Sequence, residues 1–216
     1  AEKFNIMISM GELPDIIEYT WMSYPGGPAK ALADGVIQEL NLKEKAPNLY
    51  AYAQANPDVD KLMKTDDGKY FAFPFIRGDR SLQTSAGLIV RKDWLDEINM
   101  EVPQTIDEWG QMLRAFRDQK GAKYPISYAF GSASWGAFVG AYGTVDGLYL
   151  DDGTVKYGAL EPGYKEFLTK MNEWYQEGLI ASDFSTMDSK TLDSNIINGF
   201  SGAASGSVGS GLGRWM

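Results

Sequence analysis

The sequence predicts an α/β fold, and three observations carry that prediction. Short β-branched or aromatic runs alternate along the chain with amphipathic stretches at helical spacing. A hairpin followed by a long amphipathic helix occupies Tyr149 to Phe184. A capping box, Thr105-Ile106-Asp107-Glu108, opens a second helix of the same kind.

The elements follow in order. Phe4 to Met10 is a short apolar run, expected to need strand neighbours. After a helix end and a Pro-containing turn at Gly11-Glu12-Leu13-Pro14, Asp15 to Tyr19 reads as a buried strand. Ala31, Leu32, Val36, Ile37 and Leu40 recur at helical spacing and predict a helix over Ala29 to Leu42. Pro47 to Lys64 predicts one or two short helices. Asp66-Asp67-Gly68 is a turn signal, followed by alternating Tyr70, Ala72 and Pro74.

Leu88-Ile89-Val90 reads as a strand after Gly87, and Lys92 to Glu97 begins a helix. The Thr105 hydroxyl can accept an orphan N–H while Glu108 reaches back. Trp109, Met112, Leu113 and Phe116 then share one face. Ile126 to Phe130 is a predicted strand. Asp151-Asp152-Gly153 sets a tight turn between Tyr149-Leu150 and Val155-Lys156-Tyr157. Pro162 suits a first helical turn, where its missing N–H would have no partner. Tyr164, Phe167, Leu168, Met171, Trp174 and Tyr175 form an apolar stripe, and Gly178 stops it. A weaker helix spans Ser189 to Asn198. Ser201 to Gly213 is rich in Gly and Ser. There is no internal repeat and no clean linker. The best boundary lies near Ser85 to Val90, which divides the chain into 1–86 and 87–216.

Composition removes whole classes of chemistry. The 216 residues contain no histidine and no cysteine. A Ser-His-Asp triad, a Cys-His pair, thiolate chemistry, disulfides and histidine metal sites are therefore excluded. The net charge of -9 is spread along the chain and serves solubility. It argues against nucleic acid, which needs clustered Lys and Arg. No apolar run approaches the ~20 residues that span a bilayer. The first residues, Ala1 to Met10, lack a basic start followed by a long apolar region, so no export signal is expected within this chain.

Several segments, taken in order, resemble bacterial extracellular solute-binding proteins, the capture subunits of ABC importers. The first is Gly11-Glu12-Leu13-Pro14-Asp15-Ile16-Ile17. The second is Gly87-Leu88-Ile89-Val90-Arg91-Lys92-Asp93-Trp94-Leu95, continued by Val102-Pro103-Gln104-Thr105-Ile106-Asp107-Glu108-Trp109. The third is Tyr149 to Phe184, continuing to Gly199 and the Gly-rich end. The nearest likeness is to oligosaccharide-binding lipoproteins of Gram-positive bacteria, of the aldouronate type. The resemblance implies a type II periplasmic-binding-protein fold with two α/β lobes, a hinge and a carbohydrate in the cleft. It implies that this chain is incomplete, with 1–86 part of the first lobe and 87–216 most of the second. It also implies a non-catalytic protein outside the cell, lipid-anchored or periplasmic, working with an ABC permease in the membrane. A monomer is expected for the full-length protein, with no cofactor and no metal.

A saccharide offers hydroxyls and flat C–H faces, so its site needs aromatic planes and polar side chains with few rotamers to freeze. Tyr19 and Trp21 follow the predicted strand, where the family places cleft residues. Trp135 is flanked by Ser134 and Gly136 after the Ile126 to Phe130 strand, and Tyr142 follows. Arg77, Asp79 and Arg80 follow Phe73-Pro74-Phe75, and Arg forks would suit an acidic sugar. Trp215 follows the Gly-rich end. By contrast Trp94, Trp109 and Trp174 lie on apolar stripes and read as core. Gly209, Gly211 and Gly213 do not make a dinucleotide fingerprint, and neither Asp-Asp-Gly site has calcium-loop spacing.

Three functions compete. Carbohydrate capture is the first. The same fold holding a peptide, amino acid or other metabolite is the second. A glycoside hydrolase needs two carboxylates about 5–5.5 Å or 6.5–9.5 Å apart; Asp79 and Glu18 are conceivable, but nothing in the sequence pairs them.

Overall fold

The computed structural model describes residues 2–83, 86–128 and 135–215, without the side chains of Glu2, Arg80, 135–137, Val208, Ser210 and Leu212. The chain divides into two compact units, Ala1–Arg77 and Gly78–Met216.

The first unit is helical. Its helices are α1 (Glu2–Met10), α2 (Gly27–Ala33), α3 (Leu42–Lys45), α4 (Pro47–Ala55) and α5 (Pro57–Leu62). The Phe4 to Met10 run is thus a helix and not a strand. Phe4, Met7 and Ile8 sit at i, i+3 and i+4 and are its half-buried face, while Ile6 and Met10 point outward. Asp15 is a bend, residues 16–19 form no strand, and Ile16 is 88% exposed, so the expected buried strand is absent. The helix expected over Ala29 to Leu42 stops early. Asp34-Gly35 ends α2, with Gly35 at φ 70°, and the N–H groups of Val36 and Ile37 fold back onto the Ala31 carbonyl. Asn41 then caps α3 through the Glu44 N–H at 3.3 Å. Of the one or two short helices expected over Pro47 to Lys64, two form, α4 and α5. The Asp66-Asp67-Gly68 turn joins Lys64 to Tyr70, and the Tyr70 hydroxyl donates to Asp60 at 2.5 Å.

The second unit is α/β. It contains β1 (Ala86–Val90), α6 (Lys92–Glu97), α7 (Ile106–Lys120), β2 (Ile126–Ser127), α8 (Trp135–Gly140), β3 (Leu148–Asp151), β4 (Thr154–Tyr157), α9 (Pro162–Gln176), α10 (Ser189–Ile197), β5 (Ala203–Ser207) and α11 (Val208–Trp215). The three-stranded sheet has the order β1-β5-β2, antiparallel at β1-β5 and parallel at β5-β2. Beside β2, Ile180 extends the pairing: the Ile126 N–H donates to Leu179 at 3.0 Å and the Ala181 N–H to Ile126 at 3.3 Å. The predicted β2 is shorter than expected, and residues 129 and 130 lie outside the described set.

The central strand is the one the sequence disguises. Ala203-Ala204-Ser205-Gly206-Ser207 carries no β-branched or aromatic residue, yet it pairs on both sides. Its small side chains let aromatic rings approach the backbone. A Cβ at Gly202 would lie 2.4 Å from Phe116 Cδ2 and 2.7 Å from Trp94 Cε3. Around this strand the main core joins α6, α7, α8 and α9. Trp109, Tyr128 and Trp174 meet Phe138 edge-on at 5.2, 6.3 and 5.5 Å. The stripe readings of α7 and α9 hold in their centres, since Met112, Leu113, Phe116, Phe167, Met171 and Trp174 are buried. A smaller cluster packs Ala181, Met187, Leu192, Ile196 and Ala204.

Polar contacts finish the frame. Thr105 and Glu108 form the capping box, at 3.2 and 3.0 Å. Buried Ser127 and Ser201 share a hydrogen bond of 2.6 Å, and Asn195 donates to Ser127 at 3.1 Å. This ties β2, α10 and the approach to β5. Arg114 of α7 forks onto Glu177 at the end of α9, at 2.7 and 2.8 Å. The guanidinium holds the Glu177 carboxyl below the usual range. A lowered folded pKa means this contact stabilises above the pKa of an unfolded glutamate and fades as pH falls. Half exposed, it contributes at most about 1 kcal/mol. The Asp152-Gly153 turn, with φ values of 44° and 77°, closes the predicted hairpin.

Gly202→Val should lower stability by about 3 kcal/mol, because added carbons meet rigid rings. Gly87→Ala, whose Cβ meets nothing within 4 Å, should change little. Urea unfolding followed by far-UV circular dichroism compares the two.

Candidate functional site

Trp215 marks the clearest groove built from a sequence-predicted residue. The groove has a volume of about 470 Å³ and lies within the second unit. Its walls come from the end of β1 and start of α6 (Ile89 to Asp93), from Ile196 of α10, and from Gly202 to Ala204. Trp215 ends α11 and is half buried. Its ring sits against Gly206, where a Cβ would lie 2.7 Å from the ring and 3.1 Å from Ile89. The indole N–H donates to Asp193 of α10 at 2.7 Å. Arg214 reaches the same carboxylate at 3.5 Å. The ring is therefore pinned by a side-chain acceptor and by a floor without side chains.

The charged wall is Arg91, Lys92 and Asp93. Arg91 forks onto Asp93, with Nε to Oδ1 at 2.7 Å. Its guanidinium also lies 4.9 Å from the Trp94 ring centroid. The hydrogen bond from Arg91 holds the Asp93 carboxyl below its ordinary range and raises Arg91 further. Both groups stay charged at neutral pH. The pair gives the groove a donor fork and an acceptor at one end of an apolar trough, a combination that suits hydroxyls beside C–H faces.

The other predicted residues fall elsewhere. Tyr19 and Trp21 are together in the first unit. Tyr19 stacks on Phe4 at 3.8 Å, and Trp21 meets Tyr19 edge-on at 5.2 Å. Trp21 is only 6% exposed, and Tyr19 is the more open ring. Arg77 is exposed, with its guanidinium 5.4 Å from the Phe75 ring centroid. Asp79 accepts from the Ser81 hydroxyl at 2.6 Å and the Ser81 N–H at 2.8 Å, and these bonds lower its pKa. Arg80 begins a single 3₁₀ turn, Arg80–Leu82, with its side chain outside the described set. Trp135 opens α8, and its side chain is likewise outside that set, as is all of Ser134. Tyr142 follows α8 and meets Phe167 of α9 edge-on at 6.1 Å. Burial raises its hydroxyl pKa. Trp215 and Tyr142 do not share a groove.

Sequence reasoning missed Ile89, Arg91, Asp93 and Asp193. The Arg91-x-Asp93 spacing at a strand end was visible, but only the fold of β5 places Trp215 over that end. Among the described residues no cluster of His, Cys, Asp and Glu could hold a metal ion.

No family model matches the chain. Lipoprotein LipO of Bacillus subtilis is 27% identical over 218 residues, covering 93% of this chain and 40% of LipO. The fructooligosaccharide ABC transporter substrate-binding protein FusA of Streptococcus pneumoniae is 29% identical over 198 residues, covering 83% of this chain and 37% of FusA. The chain is thus similar in sequence to a lipoprotein and to a substrate-binding protein of an ABC transporter. It spans about 40% of their length. The structure of the alginate-binding protein AlgQ2 without calcium matches 95% of this chain and 44% of AlgQ2, at a TM-score of 0.75 and 24% identity. That of FusA with kestose matches 94% of this chain and 45% of FusA, at 0.72 and 24% identity. The fold is the type II solute-binding fold in incomplete form, as the resemblance implied.

Gly206→Ala should push the Trp215 ring off the sheet, and Asp193→Ala should remove its N–H acceptor. Both variants should raise acrylamide quenching of the tryptophan emission with far-UV circular dichroism unchanged. Unaltered quenching in both would show that these contacts do not hold the ring.

Proposed function

We propose that the full protein is the carbohydrate-capturing component of an ABC importer. It binds an oligosaccharide outside the membrane, to which it is lipid-anchored, and delivers it to the permease. No bond is made or broken. The observation that carries this reading is the 29% identity to a fructooligosaccharide-binding protein over 83% of the chain. In this reading residues 1–86 belong to the first lobe and 87–216 supply most of the second.

The physics of capture follows from the residues. Aromatic planes receive the C–H faces of the sugar, and polar side chains receive its hydroxyls. Trp215 provides one plane with its orientation already set, so little entropy is lost on binding. Tyr19, with Trp21 behind it, provides another, and Trp135 and Tyr142 add to the set. Arg77, Asp79 and Arg80 contribute hydrogen-bonding groups. Closure of lobes over the sugar removes water and strengthens each polar contact.

The test uses the full-length protein and a panel of oligosaccharides that includes 1-kestose. Binding to the folded state alone raises stability by about 2.7 kcal/mol at a hundredfold excess over Kd. A member of the panel should therefore raise the melting temperature, and Trp215→Ala should weaken its affinity about tenfold, close to 1.4 kcal/mol. A panel that moves neither the melting temperature nor tryptophan fluorescence would overturn the reading. So would turnover of the bound sugar.

A further inference from the structure

β1 is an edge strand with one side open. It pairs with β5 in unbroken antiparallel register, from Ala86 opposite Ser207 to Val90 opposite Ala203. The order β1-β5-β2 puts no other strand beside it. At the far side of the sheet β2 already has a neighbour, because Ile180 bridges to Ile126. Among the described residues β1 is therefore the uncovered edge of this sheet.

The register fixes which groups that edge presents. Along an antiparallel pair, residues alternately bond to the partner strand and turn their backbone groups away from it. The Arg91 N–H donates to the Gly202 carbonyl at 2.8 Å. Ile89 and Gly87 share its parity and face β5. Leu88 and Val90 turn their N–H and C=O groups to the open side, where no partner meets them among the described residues. Both residues are half buried, and their side chains pack against the main core. Backbone groups beside apolar surface are rarely left without a partner.

Nothing on β1 blocks such a partner. Strands that stay at an edge are blunted by charge, proline or a bulge. Ala86-Gly87-Leu88-Ile89-Val90 has none of these. Its free groups recur at every second residue of an extended backbone, and that repeat matches another strand. LipO and FusA are matched over only 40% and 37% of their lengths. A full-length protein of that size carries ample chain to supply one. A second copy is the weaker occupant. Two N–H and two C=O groups are few to offset the translational and rotational freedom lost on association. A tethered segment costs only loop closure, which grows slowly with loop length.

We infer that a strand from the part of the full-length protein outside residues 1–216 pairs with β1 through Leu88 and Val90 and makes β1 an interior strand. This pairing does not depend on which ligand the protein binds. Ile89 and Val90 also line the Trp215 groove. The added strand therefore stands beside that groove and gives it a wall that residues 1–216 do not supply.

The experiment is amide hydrogen exchange and amide-detected NMR on the full-length protein, deuterated on carbon. Leu88 and Val90 should exchange as slowly as Ile89, within about tenfold. Their amide protons should show cross-strand contacts to amide protons of residues outside 1–216. Rapid exchange at either residue beside a slow Ile89 overturns the inference. So does slow exchange with contacts to a segment within 1–216 other than β5. Protection that falls on dilution, with a dimer in sedimentation, makes a second copy the occupant and overturns it. Slow exchange without any cross-strand amide contact means that the edge is covered but not paired, which overturns it as well.

Discussion

The second unit depends on a strand with only small side chains. β5 runs through the middle of the sheet, and its alanines and glycines set how near the surrounding rings can come. Just before the strand Trp94 and Phe116 close over Gly202. Within it, Trp215 lies against Gly206. Larger residues would have made a better strand by propensity. They would also have pushed the helices outward and opened the core that α7, α8 and α9 share. Close packing thus outweighs strand propensity here, because a buried ring gains more from contact than a β-branched residue gains from the pleat.

Local chemistry made much of the second unit legible in the sequence. The Thr105/Glu108 capping box, the Asp152-Gly153 turn, Pro162 in the first turn of α9 and the Gly178 stop are each decided by a few neighbouring atoms. The same holds for the apolar stripes of α7 and α9. Two failures were local signals misread, and one came where long-range pairing decides. Phe4 to Met10 alternates too loosely for a strand, and the i, i+3, i+4 set of Phe4, Met7 and Ile8 was the better reading. Asp34-Gly35 is a helix stop that the apolar period carried the eye across. β5 was legible only as a stretch rich in Gly and Ser, because a strand packed under rings needs small residues and no hydrophobic signature.

The binding residues were legible only as types. Trp215 was picked out because it follows the Gly-rich end, yet its partners come from β1, α6 and α10, far away along the chain. Asp193 in particular lies on a helix face that nothing in the sequence connects to an indole. The α9 stripe shows the opposite case. All six of its apolar residues read as one face, but only the central three are core; the remainder edge a groove where Asn172 and Asp146 also stand. Helical periodicity tells which residues share a side. It does not tell whether that side is covered.

The lateness of the middle strand has a consequence for biosynthesis. β1 begins at Ala86, but its partner is Ser207, at the far end of the unit. β2 cannot substitute, since in this sheet it touches β5 and not β1. While the ribosome is still making the residues between, the helices and the β3–β4 ribbon can form from local contacts, but no three-stranded sheet exists. The three-stranded sheet can therefore close only after β5 has emerged, about 120 residues after β1.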